Sequence, residues 1–212
     1  MKTFSVLLKY SGFLIMIFLM GCSPKIGKSG FLSNYDNLTE REGKKTMLLS
    51  YISPDIEPGK YKKILVDDII TKFGAKAKGE KIDQEKLNEL TAFFKSEIIK
   101  NLEPDYNIVN EPGSDVVQIQ IAITEIVPGK LLFNIFPISV AVSSATGRGK
   151  GGASLEMRIV DSKTNELLGQ AMDNRKNRGY IESFSKFGNA RAVLSYWAEL
   201  VKKRIDLFRD AQ

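Results

Sequence analysis

The chain has 212 residues, enough for one domain with additional segments, and its 43% hydrophobic and 26% charged composition belongs to a globular protein with a packed core. With no histidine and one cysteine, it lacks the parts for Ser-His-Asp and Cys-His nucleophiles, His-ligated metal sites, intramolecular disulfides and CxxC redox pairs. The formal charge of +6, from 31 basic and 25 acidic side chains without a long block of one sign, argues against a nucleic-acid partner.

Residues 1–21 read as a targeting leader. Lys2 and Lys9 precede the uncharged apolar run Phe13 to Met20, too short for the roughly 20 residues a membrane-spanning helix needs. The junction Leu19-Met20-Gly21-Cys22 resembles the bacterial lipoprotein signal, with Met20 bulkier than the residue usual at its position. The resemblance implies cleavage before Cys22, a diacylglycerol on its thiol and acylation of the new amino group. Two or three acyl chains anchor stably where one binds only marginally. The competing reading of Cys22 is a buried free thiol. Ser23 in place of Asp favours the outer membrane over the inner one, for a Gram-negative source. Removing the leader leaves 29 basic against 25 acidic residues.

Residues 22–45 carry Pro24, Gly27, Gly30 and Gly43 among Ser, Asn and Lys, the composition of a tether with a reach of roughly 25 to 30 Å. Phe31, Leu32, Tyr35 and Leu38 are too apolar for a plain linker. They either clamp onto the folded domain or form a short partner-binding segment.

Residues 46–212 read as a single α+β domain. Ile64 to Ile70 is an aliphatic, β-branched strand in which Asp67 and Asp68 point to opposite faces and cannot form a catalytic carboxylate pair. The loop Gly74 to Lys81, with Lys76, Lys78 and Lys81, reads as a solvated surface, with an anionic-lipid contact as the second reading. A helix follows, capped by Asp83, stapled by Ile82 against Leu87, with Leu87, Leu90, Phe94, Ile98 and Leu102 on one face. Tyr106 to Val109 is a short strand. Val117, Ile119, Ile121 and Ile123 alternate with Gln118, Gln120, Ala122 and Thr124, which makes a strand with one buried and one wetter face.

Residues 131–142 are strongly apolar but contain Pro137, so they read either as a buried or edge strand or as an exposed loop for oligomer or membrane contact. Gly147, Gly149 and Gly152 spell GxGxxG, yet the alternating strand Ala153-Leu155-Met157-Ile159 follows where a dinucleotide fold needs a helix. Arg148 and Lys150 read first as part of a flexible loop between strands, with a weak site for an anion or ligand as the second reading. Asp161 to Glu166 is a polar hairpin turn leading into Leu167 to Met172. The terminal helix carries the stripe Ala190, Leu194, Trp197, Val201, Ile205 and Phe208, with Trp197 expected in the core.

The expected architecture is therefore α+β: an antiparallel-rich sheet with two amphipathic helices packed on one face. Ser29-Gly30-Phe31-Leu32 with Tyr35 and Leu38, then Gly152-Ala153-Ser154-Leu155-Glu156, Asp161-Ser162-Lys163-Thr164 and Trp197-Ala198, resemble the bacterial lipoprotein family catalogued as domain of unknown function 3313. The resemblance implies an envelope location and brings no established activity. Asn165 stands where that family usually has Gly, and Asn tolerates the left-handed conformation the turn needs.

No residue pair has the spacing of a catalytic constellation, and no metal or cofactor is expected. The sequence points to a non-enzymatic, lipid-anchored envelope protein in the outer membrane, facing the periplasm. It would bind an envelope protein or a second copy of itself in assembly, transport or maintenance. The alternative is a small-ligand or lipid-binding module.

Overall fold

The computed structural model describes residues 27–40, 47, 49–57, 59–75, 77, 81–127, 152–176 and 188–210. In chain order the elements are β1 (Thr39–Glu40), β2 (Leu49–Ile52), β3 (Lys63–Val66), β4 (Ile70–Thr71), α1 (Gln84–Leu102), β5 (Asn107–Val109), β6 (Val116–Val127), β7 (Gly152–Asp161), β8 (Leu167–Lys176) and α2 (Gly188–Asp210). The leader with Cys22, the apolar stretch 131–142, and Arg148 with Lys150 lie outside the described residues.

The strands form one open eight-stranded sheet in the order β1-β2-β8-β7-β6-β3-β5, with β4 following β3 along the same edge of β6. From β1 to β6 every neighbour is antiparallel. The antiparallel-rich sheet expected from the sequence needs a correction here, because β3 and β4 run parallel to β6, and β5 runs parallel to β3. The cause is the connection. A helix between two strands returns the chain to the end where it started, so α1 carries it from β4 to a parallel β5.

Period-two patterning puts Val117, Ile119, Ile121 and Ile123 of β6 and Ala153, Leu155, Met157 and Ile159 of β7 in the core with the helices. On α1 the buried residues are Leu87, Leu90, Phe94, Ile98 and Leu102, the spacing of one helix face. Asp83 caps this helix by accepting from the Glu85 amide at 2.9 Å. On α2, Ala190, Leu194, Trp197, Val201 and Ile205 are buried. The helices pack against each other, and the Phe94 and Trp197 rings lie 6.2 Å apart, tilted by 42°. Trp197 is wholly buried and donates its indole N–H to Asp173 Oδ2 at 2.8 Å, so it belongs to the core.

The expected strand from Ile64 to Ile70 is broken at Asp67-Asp68-Ile69. Asp67 accepts from Gln118 Nε2 at 2.8 Å, whereas Asp68 pairs with Lys95 at 2.7 Å, so the two carboxylates serve separate partners. In the β7–β8 hairpin, Asn165 has φ 58°, the left-handed conformation that Asn accepts.

Truncating Phe94 to Ala should cost about 3–5 kcal/mol by urea unfolding, because the ring is fully enclosed between helix and sheet. Leu207→Ala, at a position 58% exposed, should stay within about 0.5 kcal/mol of the parent.

Candidate functional site

On the face of the sheet opposite the helices, the chain's own first described residues lie over Glu156 of β7 and Gln170 of β8. Side chains on β7 that face away from the core include Glu156, which is 0% exposed. A buried carboxylate is tolerated only when its oxygens are satisfied. Here Oε1 accepts from the Ser29 amide at 2.8 Å, while Oε2 accepts from the Ser29 hydroxyl at 2.9 Å, the Tyr35 hydroxyl at 2.9 Å and the Leu32 amide at 3.3 Å. The Tyr35 oxygen also accepts from the Gly30 amide at 2.8 Å. Burial, and then the hydrogen bond to Glu156, push the Tyr35 phenol above its ordinary pKa. One strand over, Gln170 on β8 donates through Nε2 to the Asn34 carbonyl and to Asn37 Oδ1 at 2.6 and 2.5 Å.

The apolar quartet of this segment sits accordingly. Leu32 is buried, and Phe31, Tyr35 and Leu38 are half-buried. Of the two readings of the quartet, the clamp onto the domain matches these contacts. The tether expected over 22–45 is, across residues 27–40, a strap bonded to the sheet that ends in β1, paired with β2. The wetter face expected of β6 is not wet throughout: Ala122 and Thr124 are buried.

A second feature lies where β3 and β5 meet the last turns of α2. A half-open cleft of about 340 Å³ has Ile64, Val117 and Ile205 among its lining residues, with Tyr61, Tyr106, Lys62 and Arg209 around them. Both tyrosine hydroxyls are engaged: Tyr61 donates to Asp161 Oδ2 at 2.9 Å and Tyr106 to Asp206 Oδ1 at 2.7 Å. Asp105 and Asp206 both pair with Lys202, at 2.7 and 2.9 Å. The cleft therefore offers apolar surface, two ring systems and a cationic rim. Among the described residues, no group of three or more His, Cys, Asp or Glu is placed to hold a metal ion.

Asp161 ties this region to the hairpin. Burial disfavours its charge, yet the amides of Thr164 and Lys163, the Tyr61 hydroxyl and the Lys60 ammonium outweigh that and hold the carboxyl well below the usual carboxylate range.

The family model described as Protein of unknown function (DUF3313) matches residues 27–201. The chain belongs to that family. The DUF3313 match begins at the strap and takes in every strand and most of α2, so the strap falls inside the family's domain. No curated protein matches the chain. Among solved structures it is similar to the PelC dodecamer of Paraburkholderia phytofirmans, at 12% identity over 72% of this chain and 92% of that one, with a TM-score of 0.44. It is also similar to a hypothetical protein of Chlamydia trachomatis, at 11% identity, 70% and 98% coverage and a TM-score of 0.39. A further likeness is to a neuraminyllactose-binding hemagglutinin homolog of Helicobacter pylori, at 16% identity, 70% and 83% coverage and a TM-score of 0.33. At these scores the likenesses say nothing of ligand or partner.

Sequence reading names Glu156 only within a family motif and passes over Asp173 and Gln170. Leu155-Glu156-Met157 is the ordinary alternation of a strand with one buried face, in which Glu156 reads as solvent-facing, so no local signal marks its burial.

Glu156→Gln puts an amide where four donors converge, and should lower stability by about 1.5–3 kcal/mol. Hydrogen exchange should then rise over residues 29–38 and stay slow in β6 and β7; unchanged protection of the strap would contradict this account. For Asp161, a carboxyl depressed in the folded state stabilises the fold above its unfolded pKa of about 4, and the contribution fades as pH falls from there toward the folded value. Asp161→Asn should thus be less stable than the parent near neutrality, and the gap between the two urea midpoints should narrow steadily as the pH is lowered below about 4.

Proposed function

We propose that this chain is a lipid-anchored, non-enzymatic protein of the cell envelope, held at the outer membrane through acylated Cys22 and facing the periplasm. Its folded body binds a protein partner there in assembly, transport or maintenance. The observation that carries the reading is the clasp on Glu156. Ser29 is fixed to the middle of the sheet, and only seven residue steps separate it from Cys22, a span of at most about 25 Å when fully extended. An acylated Cys22 would therefore hold the body at the lipid surface on a short leash, and a partner would have to meet it there.

Support for a role without catalysis comes from how the buried carboxylates are used. Glu156 holds the strap, Asp161 the hairpin, and Asp173 the Trp197 indole together with Arg175 Nε at 2.7 Å. Each is taken up by structural donors and has no open side for proton transfer to a substrate.

A second reading, a small-ligand or lipid-binding module, is favoured by the cleft beside β3 and α2, whose volume falls in the range of ligand pockets, about 300–1,000 Å³. Filling it with Ile205→Trp should abolish any ligand carried through native mass spectrometry; a ligand retained by the filled variant lies elsewhere.

In the producing cell, the mature mass should show acyl chains on Cys22, and Cys22→Ser should release the protein from the membrane fraction. Cross-linking in the same cells should recover a recurring envelope partner, or a second copy, from the anchored form. A mature chain with a free thiol and its leader attached would end the anchor reading, and an anchored chain with no enriched neighbour would end the partner reading.

A further inference from the structure

We infer that the surface formed by Lys28, Ile70 and Lys72 is the side of the body that lies on the membrane, with the two ammonium groups on anionic phospholipid headgroups. The inference rests on the lipid-anchor reading and adds to it an orientation and a lipid preference. Three observations meet at this surface. Lys72 donates through Nζ to the Gly30 carbonyl at 2.8 Å, and Gly74 packs so closely on the strap that a Cβ there would stand 3.2 Å from the Lys28 carbonyl oxygen. The stretch that follows β4 is thus docked on the first residues of the strap, next to the point where the chain comes in from Cys22.

The exposed side chains here also suit an interface with lipid. Ile70 and Lys72 are two apart on an extended stretch and share a face, and the Lys72 amide continues the pairing by donating to the Ile123 carbonyl at 3.0 Å. Ile70 is 46% exposed, one of only two large hydrophobic side chains so exposed among the described residues. Lys28 and Lys72 are both exposed, and Lys28 lies over the Tyr35 ring at 4.8 Å.

Charge and chain length then select the occupant. From Cys22 to Tyr35 the sequence has Lys25 and Lys28 and no acidic residue. Six residue steps from Cys22 limit Lys28 to about 20 Å from the anchor. An apolar side chain flanked by cations, kept that close to a bilayer, fits an anionic headgroup layer.

The test has two arms, each using phosphatidylglycerol-containing and pure phosphatidylcholine vesicles. In the first, the acylated chain carries a fluorophore at Ala75→Cys or, on the distant hairpin, at Lys163→Cys, and nitroxide-headgroup lipid is the quencher. Quenching several-fold stronger at position 75 in the anionic vesicles supports the inference, and equal quenching at the two positions overturns it. In the second, the Cys22→Ser chain without acyl groups is co-sedimented with vesicles. Binding should require phosphatidylglycerol and weaken with salt. It should fall about thirtyfold in Lys28→Gln/Lys72→Gln, equivalent to about 1 kcal/mol for each lysine. Gln at position 72 keeps a donor for Gly30, so the double variant tests charge and leaves the strap bonded. Binding indifferent to phosphatidylglycerol or to the double variant removes this surface and leaves the anchor untouched. An unacylated Cys22 removes the anchor, and the second arm still reads the surface.

Discussion

A carboxylate enclosed in protein and left without donors costs several kcal/mol, and the rest of this molecule is arranged around avoiding that cost at Glu156. The residue sits on β7, the middle strand of the sheet order, on the face the helices do not cover, and its donors come from outside the neighbouring strands. The chain supplies them from more than 120 residues away, through Ser29, Leu32 and Tyr35. The strap is therefore a structural layer in its own right. It covers the part of the second face around Glu156 and Gln170, while the two helices pack on the first.

The two halves of the sheet reflect two different ways of using the chain. Hairpins build the antiparallel half, where β7 and β8 turn on the Asp161 cage and Asn165. The crossover through α1 builds the parallel half, and it leaves β5 only three residues long at the edge. Its shortness also lets the chain return over the end of β3 in a few residues, and Asp115 in that return accepts the amides of Lys62 and Lys63 at 2.9 and 3.1 Å. That same corner holds the cleft, with Tyr61 and Tyr106 among its lining residues.

Much of this was legible in the residues. The stripes Leu87 to Leu102 and Ala190 to Ile205 name the buried helix faces, Asp83 names the cap, and Asn165 names the left-handed turn. These are local signals, each read within a few neighbours. The parallel pairing of β3 with β6 was not legible, because an aliphatic strand looks the same whichever way its neighbour runs. Nor were β1 and β2: Thr39–Glu40 is two polar residues, and Leu49–Ile52, though largely apolar, is too short to show a period. Outside its apolar quartet the Gly-, Ser- and Asn-rich strap reads as a linker by composition, since the hydrogen bonding to a distant carboxylate that helps fix it leaves no local mark. For the candidate site the same division holds: Phe31, Leu32, Tyr35 and Leu38 stand out locally, while Glu156 and Gln170, which hold their segment, are ordinary strand residues until the fold brings them together.

The strap's point of attachment also sets how the molecule would respond to mechanical load. A pull on the chain ahead of Gly27 reaches the Glu156 cluster first and passes into β7, which is bonded on both sides along its length. The helices lie off this load path, on the other side of the sheet. Tension would be resisted by several hydrogen bonds converging on one charged group. Once that group lets go, slack would be released from the strap before any part of the helix-packed core had to open.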